Sequence, residues 1–424
     1  MIDFDIKNYQ PSDTLYLWWL GHPEAPRLIG DVRMARQTKG VSLHYAAAWL
    51  QSGFPLSEDM PLIGREFFPT EKETAVGAVD DARPDRWGER VIRFLDKPPR
   101  LSVLDFLFYA GHERFGALGV SVSPDVYLAR GMGPLPQLAD AKEIERLVHQ
   151  ILAGEPIEER KRRLIAPGAT MGGAHPKALL SVDGHPWVLK FNEPGEPIDM
   201  PLVEHATMTL AAQAGIRVAH TMPVKVQQGH AVAVKRFDRE GGLRRHALSA
   251  NVVLKATGEA TGVAAGEVFG YPELAQWLRR RGVTAGGLHR AQMQELFRRM
   301  VFNILIDNTD DHEKNHVLLM THSGEYELSP AFDVLPSGQA LGYQQMRVGA
   351  SAADATLENA LSECAQFGLK KAQAIAQAKA VAAVVADWKQ HFAQAGVAAR
   401  DIESLSGQID RPFLREQRQS AKNV

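Results

Sequence analysis

Asp307-Asn308-Thr309-Asp310-Asp311-His312-Glu313-Lys314-Asn315 is the stretch on which the reading of the fold turns. It follows an amphipathic run, Gln294 to Ile306, in which Leu296, Met300, Asn303 and Ile304 share one helical face, so it reads as a polar loop that ends a helix. Within it Asp310 and Asn315 have the D-x-x-x-x-N spacing of loops that catalyse phosphoryl transfer. Two strand-like runs, His316 to Met320 and Tyr326 to Leu328, then lead to Phe332-Asp333-Val334, where such enzymes carry a second metal-binding carboxylate. Transfer to a hydroxyl needs a carboxylate beside that hydroxyl and hard oxygen ligands for magnesium at the phosphates. Asp310 supplies the first, as catalytic residue, and Asn315 and Asp333 the second.

Other readings of the loop exist. An Asp/Asn cluster is also what caps an ordinary turn. A calcium loop is ruled out because His312 stands where an EF-hand needs glycine. His312 itself reads as a residue that shapes the loop through hydrogen bonds.

Upstream, Ala178 to Val182 and Trp187 to Phe191 are strand-like runs around Asp183-Gly184, a strong hairpin signal. Lys190 puts a cation in the otherwise apolar second strand, and Glu204 follows in the first turn of a helix expected over Leu202 to Ala214. A strand lysine that binds phosphates and a helix glutamate that pairs with it come in this order in kinases. Taken singly, each reads better as a lysine at a strand edge and an unrelated surface glutamate; the two together, in order with the distal motifs, favour the functional reading. Gly172-Gly173-Ala174-His175-Pro176-Lys177, just before the hairpin, has the glycines that let backbone N–H groups approach phosphates, although no Walker motif is present.

A second strand pair is expected at Thr221 to Val226 and Ala231 to Val234, and an Ala-rich helix over Lys370 to Ala393. Near the start, Leu15 to Leu20 and Arg27 to Met34 read as antiparallel strands, Val41 to Leu50 as more helical, and Glu89 to Leu95 as an amphipathic segment opened by Pro84-Asp85-Arg86-Trp87-Gly88. The charged run Glu158 to Arg163 is a candidate linker. With 424 residues and 45% hydrophobic content the chain is long enough for two or three lobes. Its formal net charge of -2 gives no global basic field that would favour nucleic acid or anionic lipid. The single cysteine, Cys364, excludes an intrachain disulfide framework and suits the cytoplasm. The acidic first residues and the lack of a long apolar run give no expectation of a signal peptide or a membrane contact.

Four segments together resemble the HipA-like serine/threonine kinases, toxins of bacterial toxin–antitoxin pairs: Gly173 to Lys177, Val234 to Arg239, Asn308 to Asn315 and Ser329 to Asp333. Pro55-Leu56-Ser57, Met60-Pro61-Leu62 and Pro84 to Gly88 look like that family's amino-terminal domain. The resemblance implies an α+β, kinase-like two-lobed fold. It divides the chain into an amino-terminal domain at 1–150, a β-rich lobe at 151–247 and a helical lobe at 248–424. It implies ATP and Mg2+ as cofactors, with Gly172 to Lys177 as phosphate loop, Lys190 on the phosphates, and Lys235, Arg236 and Phe237 as the hinge that meets adenine. Asp310 is then the catalytic base, His312, Glu313, Lys314 and Asn315 complete its loop, and Phe332-Asp333 is the metal-binding turn. Family members can autophosphorylate a serine before the glycine loop, and the matching position is Thr170. They carry Glu-Asp in the segment aligned with His246 to Ala250, and this chain does not. Expected partners are a HipB-like helix-turn-helix antitoxin, DNA mainly through it, and a protein substrate such as an aminoacyl-tRNA synthetase. A corepressor with vestigial catalysis and a small-molecule kinase remain as alternatives.

Overall fold

The computed structural model describes residues 2–131, 133–165, 175–256, 269–337 and 339–423. Thr170, Gly172, Gly173 and Ala174 lie outside the described residues. The chain forms two compact units, Met1–Pro194 with Lys235–Leu248 and Gly195–Val234 with Ser249–Val424. The segment 151–247 is therefore shared between the units, where the sequence suggests one lobe.

The first unit is built on a five-stranded antiparallel sheet ordered Glu66–Phe67, Gly40–Tyr45, Arg27–Ala35, Thr14–Trp19, Leu118–Ser121. Leu15, Leu17, Ile29, Val32, Leu43 and Tyr45 are buried in it. The expectation of a helical Val41 to Leu50 is corrected here: Gly40–Tyr45 is a strand, and the helix is only Ala47–Ser52. Pairing with Arg27–Ala35 decides this, because Val41 and Leu43 pack into the sheet core as strand residues. The helix Arg86–Leu95 starts where Asp85 caps it, its carboxylate accepting from the Gly88 N–H at 2.8 Å. The Lys177–Val182 and His185–Lys190 strands pair as the expected hairpin. Asp183 (φ 50°) and Gly184 (φ 76°) form its turn, with the positive φ at both positions that a tight hairpin favours.

Side chains from that helix explain why the hairpin belongs to this unit. Trp87 Nε1 donates to the Lys177 carbonyl at 2.6 Å, and Lys177 Nζ meets Asp85 at 2.6 Å in a buried ion pair. The 235–248 segment is held by charge as well. Arg236 and Arg239 both bind the buried carboxylate of Asp238, at 2.8 and 2.6 Å, and the Gly116 N–H donates to it at 2.8 Å. Burial pushes the Asp238 carboxyl up, but Arg236 and Arg239 outweigh it and bring its pKa down to about 2. Glu113 completes the cluster and faces Arg236, Arg239 and Arg244.

His246, in the segment that departs from the family's Glu-Asp, is buried against Trp19 and Phe54, and its Nε2 donates to the Leu56 carbonyl at 2.8 Å. Burial lowers its pKa to about 4, the bond to Leu56 opposing. An unfolded histidine titrates near 6.5, so the unfolded chain binds the extra proton first. Stability from this residue is complete above pH ~6.5 and is lost as pH falls toward 4, by roughly 3 kcal/mol at the limit. Urea midpoints across that window should show the slope in the wild-type chain and a flatter profile in His246→Phe.

The second unit is organised around the helix Leu288–Ile306, with the helices Tyr271–Arg281 and Lys371–Ala386 packed on it. Ala374, Ala378, Val381, Ala382 and Val385 form the buried stripe of the last of these. The expected helix over Lys370 to Ala393 is interrupted at Asp387 and resumes as Trp388–Gln394. Trp388 is buried and donates to Asp410 at 3.1 Å, which anchors the start of the second helix. Met200–Gln213 packs on Trp388–Gln394, where Thr209 Oγ1 meets His391 Nε2 at 2.9 Å. Thr221–Lys225 pairs antiparallel with His230–Lys235, close to the expected bounds. No helix among the described residues is long and apolar enough to cross a membrane.

Candidate active site

Leu288–Ile306 ends at Asp307, whose φ of 62° turns the backbone left-handed and starts the polar loop. Aspartate tolerates that conformation better than most residues do. Its side chain is buried and gripped by the carboxy-terminal helices: Arg411 Nη2 donates to Oδ1 at 2.8 Å and Gln408 Nε2 to Oδ2 at 2.9 Å. Farther along, Asp311 is also buried, bonded to the Tyr271 hydroxyl and to His316 Nε2 at 2.8 Å. Burial alone would raise the Asp311 pKa, but His316, Tyr271 and His312 hold it below the usual carboxylate value. Asn308 is tied back to Asn303 of the helix at 3.1 Å, and Thr309 meets Ser337 Oγ at 2.5 Å.

Asp310 stands between these two anchors and differs from both. It is exposed, and its Oδ1 accepts a hydrogen bond from Gln345 Nε2 at 2.7 Å. Three aspartates of one loop thus divide into two buried braces and one carboxylate presented outward. That is the arrangement a general base requires: a fixed backbone under a side chain open to an incoming hydroxyl.

His312 shapes the loop as expected, its Nδ1 accepting from the Lys314 N–H at 3.2 Å at the start of a short turn, Glu313–Asn315. Glu313 accepts from Asn251 Nδ2 at 2.8 Å. Asn315 is buried, and its Oδ1 has no hydrogen-bond partner among the described residues. A buried acceptor left unpaired costs free energy unless something else binds it, which makes it the observation that fits a cation here.

Asn315 lines a small cavity with Asp311, His316, Phe332 and Val334, so the loop and the turn around Asp333 adjoin. The Val317–Met320 and Tyr326–Leu328 hairpin delivers that turn in fixed register, Leu318 opposite Leu328. Ala331 is then pinned on both sides, its N–H donating to the Arg217 carbonyl at 2.7 Å and its own carbonyl accepting from Ala219 at 2.8 Å. Asp333 follows with φ 59°, left-handed like Asp307. Such backbone is costly and is held only where the surroundings over-determine it. Among the described residues no three His, Cys, Asp or Glu side chains form an all-protein metal cage. Magnesium characteristically takes one or two protein oxygens and fills its remaining positions with waters and substrate phosphates. The donor chemistry of Asn315 and Asp333 fits that pattern.

The remaining expected residues fall as follows. Glu204 belongs to the second unit, buried in Met200–Gln213. Lys190 belongs to the first unit, buried at the end of its strand directly across from Lys177. Two ammonium groups at paired positions repel, and Asp85 offsets one of them. Lys177 is thus a strand residue whose ammonium braces the Arg86–Leu95 helix, a placement the glycine-loop reading does not anticipate. His175 and Pro176 precede that strand. Of the expected hinge, Arg236 gives its N–H to the Pro186 carbonyl at 3.2 Å and its guanidinium to Asp238 and Glu113, so its donors serve the fold. Phe237 packs edge-on to Phe115. Asp307, Asp311, Tyr271, Gln345 and Arg411 were not singled out by sequence reasoning. Only the two aspartates had a visible signal, as members of an Asx-rich loop.

Comparison with known proteins matches the chain to a family. A HipA-like C-terminal domain model matches residues 169–389, and a HipA N-terminal domain model matches residues 26–121. A curated relative, the serine/threonine-protein kinase toxin HipA of Shewanella oneidensis MR-1, is 26% identical over 353 residues, which span 73% of this chain and 72% of that protein. A chain from the solved complex of Shewanella oneidensis MR-1 HipA, HipB and operator DNA superposes with a TM-score of 0.65 at 20% identity, covering 97% of this chain and 99% of that one. That likeness shows a shared fold, in keeping with the α+β architecture described above. With the HipA-like C-terminal domain model matching more than half of the chain and the HipA N-terminal domain model matching besides, the chain belongs to the HipA family.

Proposed function

We propose that this protein is an ATP- and Mg2+-dependent serine/threonine protein kinase acting as the toxin of a toxin–antitoxin pair. The observation that carries the reading is the outward carboxylate of Asp310 on a loop braced at Asp307 and Asp311, together with the buried oxygen of Asn315, which has no hydrogen-bond partner among the described residues. In this reading Asp310 accepts the proton of the acceptor hydroxyl, and the braces keep its backbone from yielding as charge develops. Asn315 and Asp333 would hold magnesium, which when bound neutralises charge on the transferring phosphoryl group. The roles of Lys190 and Glu204 toward phosphate, and of Lys235 and Phe237 toward adenine, are carried over from the family resemblance. The relative's name supports the kinase and toxin assignments. The HipB and operator DNA in the solved complex support an antitoxin as partner, with DNA met mainly through it.

Calorimetric titration with ATP tests the nucleotide part of the proposal. Binding should tighten by at least tenfold when magnesium is added. Equal affinity with and without the ion would contradict the assignment of Asn315 and Asp333.

A further inference from the structure

Gln345 is an exposed side chain carried on a pinned backbone. It lies at a bend between Gln344 and Met346, both of them buried. On one side of it the Gln344 N–H donates to the Ala353 carbonyl at 2.8 Å. On the other, the Arg347 N–H donates to the Phe269 carbonyl at 2.8 Å, and the Arg347 carbonyl accepts from the Tyr271 N–H at 3.0 Å. The Arg347 side chain is held as well, donating to Glu273 at 3.0 Å and to Glu363 at 2.9 Å. Tyr271 is also the residue whose hydroxyl binds Asp311. One buried tyrosine therefore fixes, through its main chain, the backbone two residues after Gln345 and, through its side chain, the residue after Asp310.

That frame sets Gln345 Nε2 2.7 Å from Asp310 Oδ1. An ionised carboxylate only accepts, so the amide nitrogen is the end that faces it. A bond between two exposed side chains adds little to stability and costs the rotamer freedom of both, so the fold gains little by it. Catalysis gains more. The bond takes Oδ1, fixes the plane of the carboxylate and leaves Oδ2 for the acceptor hydroxyl. A neutral amide does this without the neutralising charge that a lysine or arginine would bring to a base. Resting on the kinase reading above, we infer that Gln345 is a positioning residue for phosphoryl transfer, which acts by setting the orientation of the Asp310 carboxylate.

The test measures initial rates of γ-label transfer to a fixed amount of protein extract at varied Mg-ATP, with the full wild-type chain and its Gln345→Met and Gln345→Glu variants. Methionine keeps the size of the side chain without the donor, and glutamate keeps its shape but turns an acceptor toward Asp310. In Gln345→Met the maximal rate should fall by about tenfold to a hundredfold, the cost of a reacting group displaced by ~1 Å, while KM for ATP stays the same. Gln345→Glu should lose about fivefold more, because like charges at contact repel even in water. Melting temperatures should match the wild-type value, since the side chain is exposed. A merely structural role would instead lower the melting temperature and would not rank the variants by charge. Full activity in Gln345→Glu, equal losses in the two variants, or a loss confined to KM overturns the inference. Each of these leaves the kinase reading standing as long as the wild-type chain transfers label. Absence of any transfer by the wild-type chain would remove both.

Discussion

Replacing Asp310 by alanine is expected to lower phosphoryl transfer by about a hundredfold to ten-thousandfold, the contribution usual for a positioned general base. Stability should hardly move. The carboxylate is exposed, and its bond to Gln345 joins two surface side chains, so the change in unfolding free energy should stay within about 0.5 kcal/mol. Its neighbours give the contrast. Asp311→Ala would strip His316 and Tyr271 of a buried partner and should cost fold and activity together. Initial rates on a protein extract, read beside thermal melts of the two variants, distinguish these outcomes. Near-normal transfer by a well-folded Asp310→Ala chain would remove the base assignment.

Asn315→Leu should produce the second large effect, and an unusual one, because stability and function are expected to move in opposite directions. The Oδ1 of Asn315 is buried without a partner among the described residues, so an apolar side chain of similar size removes an unpaired acceptor and should leave the fold as stable as before or more so. The same change deletes an oxygen proposed to meet magnesium. Loss of a metal-supporting group commonly costs 10- to 100-fold in affinity, and a direct ligand should cost at least that. A magnesium titration of ATP binding should therefore shift by at least tenfold while the melting temperature holds or rises. A variant that loses stability but keeps its magnesium dependence would place Asn315 among the structural residues.

What the sequence made legible was local. The D-x-x-x-x-N spacing, the Asp183-Gly184 turn, the amphipathic run into Ile306 and the hairpin before Asp333 each depend on residues a few positions apart; the two hairpins fall close to their expected bounds, and the helix ends at Ile306 as expected but begins at Leu288, ahead of Gln294. What stayed hidden depends on partners far along the chain. Asp307 and Asp310 look alike in the sequence. Only Arg411 and Gln408, brought in by the last helices, make one a brace and leave the other exposed. Asp311 is distinguished in the same way by Tyr271. Lys177 read as part of a phosphate loop because Asp85 and Trp87, which engage it, lie in a different region of the sequence. Val41 and Leu43 have no strand signal strong enough to resist the helical pattern after them, and it is the neighbouring strand that decides.

The domain boundaries follow the same logic. A break near residue 150 is natural when the chain is read in order, yet the hairpin beyond it is tied by Trp87 and Asp85 to what precedes. The Arg236, Asp238 and Arg239 cluster does the same for 235–248 through Glu113 and Gly116. Charged residues do much of this joining. Asp238 can stay ionised at full burial only because two guanidiniums and an N–H surround it, so removing either arginine would leave an uncompensated charge.

The central claim is that the chain moves the terminal phosphoryl group of ATP to a protein hydroxyl, and transfer of label tests it most directly. The purified chain is incubated with magnesium and a protein extract in parallel reactions with ATP labelled at the γ or the α phosphate, followed by acid hydrolysis and separation of phosphoamino acids. The account predicts phosphoserine or phosphothreonine carrying γ label only, and none when Asp310→Ala replaces the wild-type chain. Labelling from the α position, or γ label that persists undiminished in the variant, would contradict it.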